Sequence, residues 1–409
     1  MAAKIDKYYY LKLFGVKLAV QTPILNPFHY FRPMKKLSIC TIFVLITVNA
    51  IGQKKLIEKY LSNKTDTTRK GSFMPLPVFR YSQEIGIELG LGALYSVYLD
   101  KKDPTNRSSN FTGILSASTK GQYNVSLKSD IWTKQNKYNY IGEVKLRRMP
   151  FNYYGIGNET IHTNEDRLVQ DQIKLVMHAA KKLAPNLYTG FSLGFEHYSF
   201  KDKAAGGIFD SDPYLVGKTG GNVIYAGISQ SYDTRNSNNY PTKGFVGKVS
   251  YQYAPDFWAG ENFTGSLIKV NASNFWSLSR KFVLGLNGLF YTIQGKNTPF
   301  YLLPQMGNDE MMRGYYTGRY RDKNLLAAQA ELRYRYNNRF GAVIFGGAGQ
   351  VFDNGGLAIK SFKPSIGAGG RYFFDPEKGL SMRLDYGIGE KRPNEKRQTG
   401  FYISLAEAF

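Results

Sequence analysis

Residues 328–337 read Ala-Gln-Ala-Glu-Leu-Arg-Tyr-Arg-Tyr-Asn, and their order decides the fold. Ala328, Ala330, Leu332, Tyr334 and Tyr336 fall on one face of an extended chain, and Gln329, Glu331, Arg333, Arg335 and Asn337 on the other. A repeat of two is the period of a β-strand. One face suits hydrocarbon. The other carries charges of both signs, which the dry core of a soluble sandwich rejects and the polar lumen of a membrane barrel accepts. The pattern recurs. Met382, Leu384, Tyr386 and Ile388 oppose Arg383, Asp385, Gly387 and Gly389, and Ile268, Val270 and Ala272 oppose Lys269, Asn271 and Ser273.

Repeated apolar-out, polar-in segments predict an all-β protein, a transmembrane antiparallel β-barrel of about sixteen strands. The expected strands are 84–99, 109–119, 122–133, 138–149, 151–159, 165–180, 187–200 and 221–233, then 243–254, 262–278, 281–294, 324–337, 340–352, 363–375, 379–390 and 399–409. With the N-terminus in the periplasm, every second connection should be short. Lys120-Gly121, Pro150, Ala184-Pro185-Asn186, Ser279-Arg280, Asn337-Asn338 and Asp375 to Lys378 are turn-formers that fit this side, with Thr234–Thr242 a longer exception. The polar stretches 100–108, 201–220, 295–323, 353–362 and 391–398 read as extracellular loops.

Composition agrees. The 409 residues include 31 Tyr, 27 Phe and 42 Gly, suited to pleated strands, interface girdles and a close-packed lumen. A mean hydropathy of −0.35 is compatible with a barrel, whose strands show lipid only every second residue. The net charge of +23 is spread along the chain rather than packed in one tract. Outer-membrane lipid and lipopolysaccharide phosphates are therefore the expected partners, and nucleic acid is not. The single cysteine, Cys40, and the four histidines, His29, His162, His178 and His197, form no disulfide framework and no ligand-spaced cluster. No metal and no cofactor is expected.

Met34-Lys35-Lys36, the apolar run Leu37 to Val48 and the small-x-small Ala50-Ile51-Gly52 form a signal peptide over 34–52. Residues 1–33 then read as an upstream extension ahead of the true start. A lipobox ending at Cys40 fits poorly, because the apolar run follows the cysteine instead of preceding it. Residues 53–83 read as a short periplasmic segment and 84–409 as the barrel. No other run reaches the ~18 apolar residues of a transmembrane helix, which excludes a helical inner-membrane protein and leaves a periplasmic or outer-membrane destination. The final stretch, from Gln398 through Gly400, Ile403 and Leu405 to Phe409, is similar to the C-terminal targeting signal of outer-membrane barrels, with Thr399 departing from its usual hydrophobic position.

Three further segments resemble the Omp85 superfamily, the BamA/TamA or bacterial surface antigen D15 barrels. The first is Asp233-Thr234-Arg235 with Tyr240-Pro241-Thr242-Lys243-Gly244, similar to that family's D-T-R…P-T-x-G turn. The second is Met312-Arg313-Gly314-Tyr315, similar to the R-G-[FY] tip of the loop that folds back into the lumen. The third is Val351-Phe352-Asp353, matching the acidic partner of the loop arginine. Tyr154-Gly155-Ile156-Gly157-Asn158 and Pro75-Leu76-Pro77…Tyr81-Ser82 belong to the same likeness, which spans roughly 72–409. The resemblance implies a lock in which Arg313 pairs with Asp353, with Glu331 or Asp385 able to share the role. A guanidinium forks onto carboxylates, and inside a barrel it needs them to offset its desolvation. It also implies assembly, insertion or translocation of outer-membrane proteins. Residues 53–83 are too few for a periplasmic POTRA domain, so unfolded clients would need a periplasmic accessory protein.

Catalytic signals are weak. Gly190-Phe191-Ser192-Leu193-Gly194 matches G-x-S-x-G but lies inside an alternating strand, where a nucleophile elbow requires strand, turn and helix. His178 and His197 sit on neighbouring strands. The chain reads as a non-enzyme, and a membrane-embedded hydrolase ranks last. The leading expectation is client insertion at the seam between a first strand near Glu84, loosened by Gly86, Gly90 and Gly92, and the strand ending at Phe409. The other is a structural barrel or anion-preferring pore lined by Lys269, Arg333, Arg335 and Arg383.

Overall fold

The computed structural model describes residues 11–13, 16–18, 62–63, 67–82, 86–202, 206–257 and 262–409. The expected signal peptide, 34–52, lies outside them. The chain divides into two units, 1–59 and 60–409. In the first, Leu11–Leu13 pairs antiparallel with Val16–Leu18. The second is the barrel.

Its sheet has sixteen strands, each paired antiparallel with its neighbours in sequence order. They are β1 (Ser72–Ser82), β2 (Gly86–Val97), β3 (Ser109–Ser118) and β4 (Tyr123–Trp132). β5 (Tyr138–Tyr153), β6 (Asp166–Ala184), β7 (Leu187–Asp202) and β8 (Gly220–Asp233) follow. Then come β9 (Gly244–Ala254), β10 (Thr264–Ser277), β11 (Phe282–Lys296) and β12 (Asn324–Arg335). β13 (Phe340–Phe352), β14 (Lys363–Asp375), β15 (Leu380–Ile388) and β16 (Thr399–Leu405) complete it. Alternation sets the faces. Gln329, Glu331 and Arg333 are buried inside, while Ala328 is exposed and Leu332 and Tyr334 are partly so. On β15, Arg383 and Asp385 are buried and Leu384 and Tyr386 are exposed.

The expected strand number holds through two offsetting differences. Residues 72–82, expected in the N-terminal segment, form the first strand. The expected strands 138–149 and 151–159 are one strand, β5, with Pro150 inside it. Pairing of β5 with β4 ends at Arg148, so Pro150 lies where β5 has a neighbour on one side only. A residue without an N–H is tolerated at such an edge. Because of these two shifts, the early connections change ends. Residues 98–108 lie with the short turns, not the long loops: Asn238 Nδ2 donates to Ser108 O at 3.0 Å. Lys120-Gly121 lies at the opposite end. The expected seam also moves. Gly86, Gly90 and Gly92 belong to β2, which is paired on both sides, and the terminal strands are β1 and β16.

β16 stops at Leu405 rather than running to Phe409. Ala406 takes a φ of +69°, and the last residues turn into the lumen. Phe409 stacks on Phe275 of β10 with centroids 5.7 Å apart, and Arg333 donates to its carbonyl at 2.9 Å. At the same end the two sides of the sheet meet. Lys378 Nζ donates to Lys70 O at 2.7 Å and to Ser72 Oγ at 3.0 Å, and Met74 and Leu405 pack against the buried Leu94, Phe374 and Leu380.

Candidate functional site

The connection between β11 and β12, residues 297–323, enters the barrel. Gln305–Met306 pairs with Tyr320–Arg321, so the loop returns as a narrow hairpin. Met306, Met311, Met312, Tyr315 and Tyr320 are buried against Leu325 and Ala327 of β12 and Val351 of β13. The apolar burial of this loop helps hold it in place.

The tip is specific. Arg313 is fully buried. Its guanidinium donates to Asp385 at 2.7 Å and to Glu331, and lies 3.5 Å above the ring of Phe345. Gly314, with φ +108°, turns the chain back, and its N–H donates to the Tyr402 hydroxyl of β16 at 2.9 Å. The Tyr315 hydroxyl donates to Pro364 O at 2.6 Å and accepts from the Glu390 N–H at 2.9 Å. Burial pushes the Tyr320 phenol up to about 12 and the Tyr315 phenol in the same direction.

The partner of Arg313 is therefore not Asp353. That carboxylate stands past the end of β13, exposed, and pairs with Lys323 at 3.1 Å. The arginine reaches deeper, to the level where Glu331 and Asp385 point inward. These two acids also serve a wider network. Arg333 donates to Glu331 at 2.9 Å, Arg371 to Asp385 at 2.5 Å and Arg383 to Asp385 at 3.1 Å. Glu407, next to the chain's last turn, takes Arg371 at 2.8 Å, and Asp309 of the loop takes Arg383 at 2.8 Å. Sequence spacing could not show Arg371, Glu407 and Asp309 as members, because they come from three separate segments. The alternation did place Glu331 and Asp385 inward.

The network changes the reading of the lumen charge. Arg333 and Arg383, expected to line an anion path, are neutralised by carboxylates, and Arg335 stacks on Phe373 at 3.3 Å. Lys269 does face open space, in a cavity of about 450 Å³ with Arg235 and Lys248.

The second motif forms the opposite plug. The Asp233 carboxylate accepts Arg235 through its backbone N–H at 3.1 Å and its side chain at 2.8 and 3.0 Å, and takes Arg107 as well. Thr234 closes the turn by accepting from the Phe245 N–H at 2.9 Å. Gly244 has φ +101°, and a side chain there would strike Thr234 O. Pro241 is buried. The turn reaches across to other connections at this end: Asn239 donates to Ser108 Oγ at 2.9 Å and Lys378 O at 3.0 Å, and Tyr240 packs edge-on against Phe373. That reach explains why this turn is longer than its neighbours.

At the loop end, Tyr154 to Asn158 are loop rather than strand. Gly157 N–H donates to Arg321 O at 2.7 Å, and Asn158 binds Ser361 O and the Val351 N–H. They clasp the returning limb of 297–323. Arg319 there donates to Glu395 at 2.9 Å and to Thr160 O at 3.0 Å. Ser192 lies mid-strand, bonded by Gln252 at 3.3 Å, while His178 meets Ser229 at 2.8 Å. The G-x-S-x-G match is thus not a nucleophile elbow. Of the terminal-signal positions, Gly400, Ile403 and Leu405 lie on β16, Gln398 precedes it, and Phe409 is in the lumen.

No curated protein matches the sequence. Among solved structures, the barrel is similar to BamA from Haemophilus ducreyi lacking POTRA domains 1–3, at 14% identity and TM-score 0.50, over 83% of this chain and 70% of that one. It is also similar to CdiB from Acinetobacter baumannii, at 8% identity and TM-score 0.50, over 82% of this chain and 60% of that one. These likenesses speak to the fold. The Omp85 superfamily domain model matches residues 88–409, a span holding the locked loop, the Asp233 turn and fifteen of the sixteen strands in whole or part, and the chain belongs to the Omp85 superfamily.

Proposed function

We propose that this protein acts at the bacterial outer membrane in the insertion or translocation of other outer-membrane proteins, using the seam between β1 and β16. The observation that carries the reading is the bond from the Gly314 N–H to Tyr402, which ties the locked loop to the terminal strand. The seam strands are weak partners by construction. β1 contains Pro75 and Pro77, which cannot donate to a ladder, and β16 is only seven residues long. Unpaired backbone in lipid is costly, so a thinly paired edge is a template for an incoming strand. The signal peptide 34–52 supplies export, and a periplasmic accessory protein delivers unfolded clients to the turn end. Lipopolysaccharide phosphates meet the basic loops.

Depletion in the native host with quantification of the outer-membrane proteome tests this. Loss of other barrels, with their precursors held in the periplasm, is expected; an unchanged proteome contradicts it. Lys248 and Lys269, which face the open cavity, favour a second reading as an anion-preferring pore. An anion-selective conductance that survives deletion of 297–320 would select that reading.

A further inference from the structure

We propose that the lumen on the loop side of the lock is a binding site for an acidic saccharide, centred on Arg147 and Gln172. A cavity of about 760 Å³ lies between the inner face of β5–β7, the loop 297–323 and the start of β16. Its lining includes Lys145, Arg147 and Arg321 and no carboxylate. Lys145 is matched by Glu143 at 3.3 Å. The other two cations pair with no carboxylate among the described residues. Arg321 is buried, lies against the rings of Phe151, Tyr153 and Phe300, and among the described residues gives its N–H groups to the carbonyls of Gly318 and Phe300 and to no carboxylate. Arg147 has a buried Nε that meets no acceptor among the described residues.

Gln172 stands directly opposite Arg147 in the β5–β6 register, so both side chains enter the cavity at one level. Its Nε2 donates to the Tyr198 hydroxyl at 2.8 Å, while its buried Oε1 receives no donor among the described residues. Leaving buried polar groups unmet is expensive. An unused guanidinium donor beside an unused amide acceptor specifies a ligand with an anionic oxygen and, next to it, a hydroxyl. The walls fit the rest of such a molecule. Tyr198 and Tyr301 pack on each other with ring centroids 4.5 Å apart, and together with Tyr316 they give the cavity an aromatic wall carrying phenol groups, which suits the mixed apolar and polar surface of a sugar. The volume lies within the range of small-molecule sites. The shared chemistry is a sugar carrying a carboxylate or phosphate, free or as the headgroup of an envelope glycolipid. The site does not depend on whether the seam opens.

Calorimetry on the full chain in non-ionic detergent tests it, with digalacturonate as probe and lactose and inorganic phosphate as comparators. Digalacturonate should bind at least tenfold more tightly than either comparator. Arg147→Gln should weaken it at least tenfold, and Arg147→Lys, which keeps the charge, should recover part of the loss. Heat-modifiable gel mobility shows that each variant is folded. No binding of digalacturonate, equal binding by Arg147→Gln, or phosphate binding as tightly as digalacturonate would each overturn the proposal. Displacement of bound digalacturonate by lipopolysaccharide micelles assigns the site to glycolipid; retained digalacturonate assigns it to a free acidic saccharide.

Discussion

At the scale of the residue, Arg313 has the most consequential surroundings. It supplies one of the charges that Glu331 and Asp385 need in a dry interior, and truncating one partner of a buried ion pair leaves the others uncompensated. Arg313→Ala should cost about 3 kcal/mol and expose 297–320 to limited proteolysis while the barrel still forms. Asp353→Asn should leave the digestion pattern as it is, because Asp353 is exposed and its ion pair is with Lys323, at the strand end and away from Arg313. Equal sensitivity of the two variants would contradict the geometry. The resemblance to the Omp85 barrels singled out Arg313 as a lock and put Asp353 first as its acid, because Val351-Phe352-Asp353 matches the family's acidic partner. Depth along the barrel axis decides instead, and depth is not written in spacing. The alternating runs of β12 and β15 were the usable signal.

At the scale of the element, close approach governs. The backbone of Arg313 lies so near Gly387 of β15 that an added Cβ would come within 2.5 Å of the Arg313 carbonyl carbon. Gly387→Ala should therefore reproduce the proteolysis of Arg313→Ala with every charge in place; full protection would show that the loop tip has room to move. Residues 406–409 form a second small element. Glu407 bonds Arg371 at 2.8 Å and Ser381 at 2.8 Å, and Phe409 packs on Phe275. Deleting 406–409 should lower the unfolding temperature of the purified barrel by several degrees, and an unchanged temperature would mean that the tail contributes no stability. Later strands were legible because each has a polar inner face and an apolar outer face. β1 was not, because Pro75 and Pro77 break the strand pattern, and β5 was cut at Pro150 for the same reason. The two misreadings cancelled in number while exchanging the ends of the early connections.

At the scale of the whole molecule, two plugs obstruct one barrel and leave cavities between them. The loop 297–323 packs inside from one end, and the Asp233 turn reaches Ser108 and Lys378 across the other. In planar bilayers the intact protein should conduct little, and deletion of 297–320 should raise the conductance severalfold; a large steady conductance in the intact protein would contradict an obstructed lumen. With the lumen obstructed, the remaining route is through the wall, where β1 and β16 are the terminal strands of the sheet order. The most direct test of a working seam uses a cysteine pair, Met74→Cys with Leu405→Cys, at residues that pack against one apolar cluster, in a chain whose only native cysteine is Cys40. The rate at which a small unfolded outer-membrane protein inserts into liposomes holding the oxidised or reduced pair is the measurement. Insertion that stops on oxidation and returns on reduction is the predicted result; an oxidised barrel that inserts its client as fast as the reduced one would contradict the account.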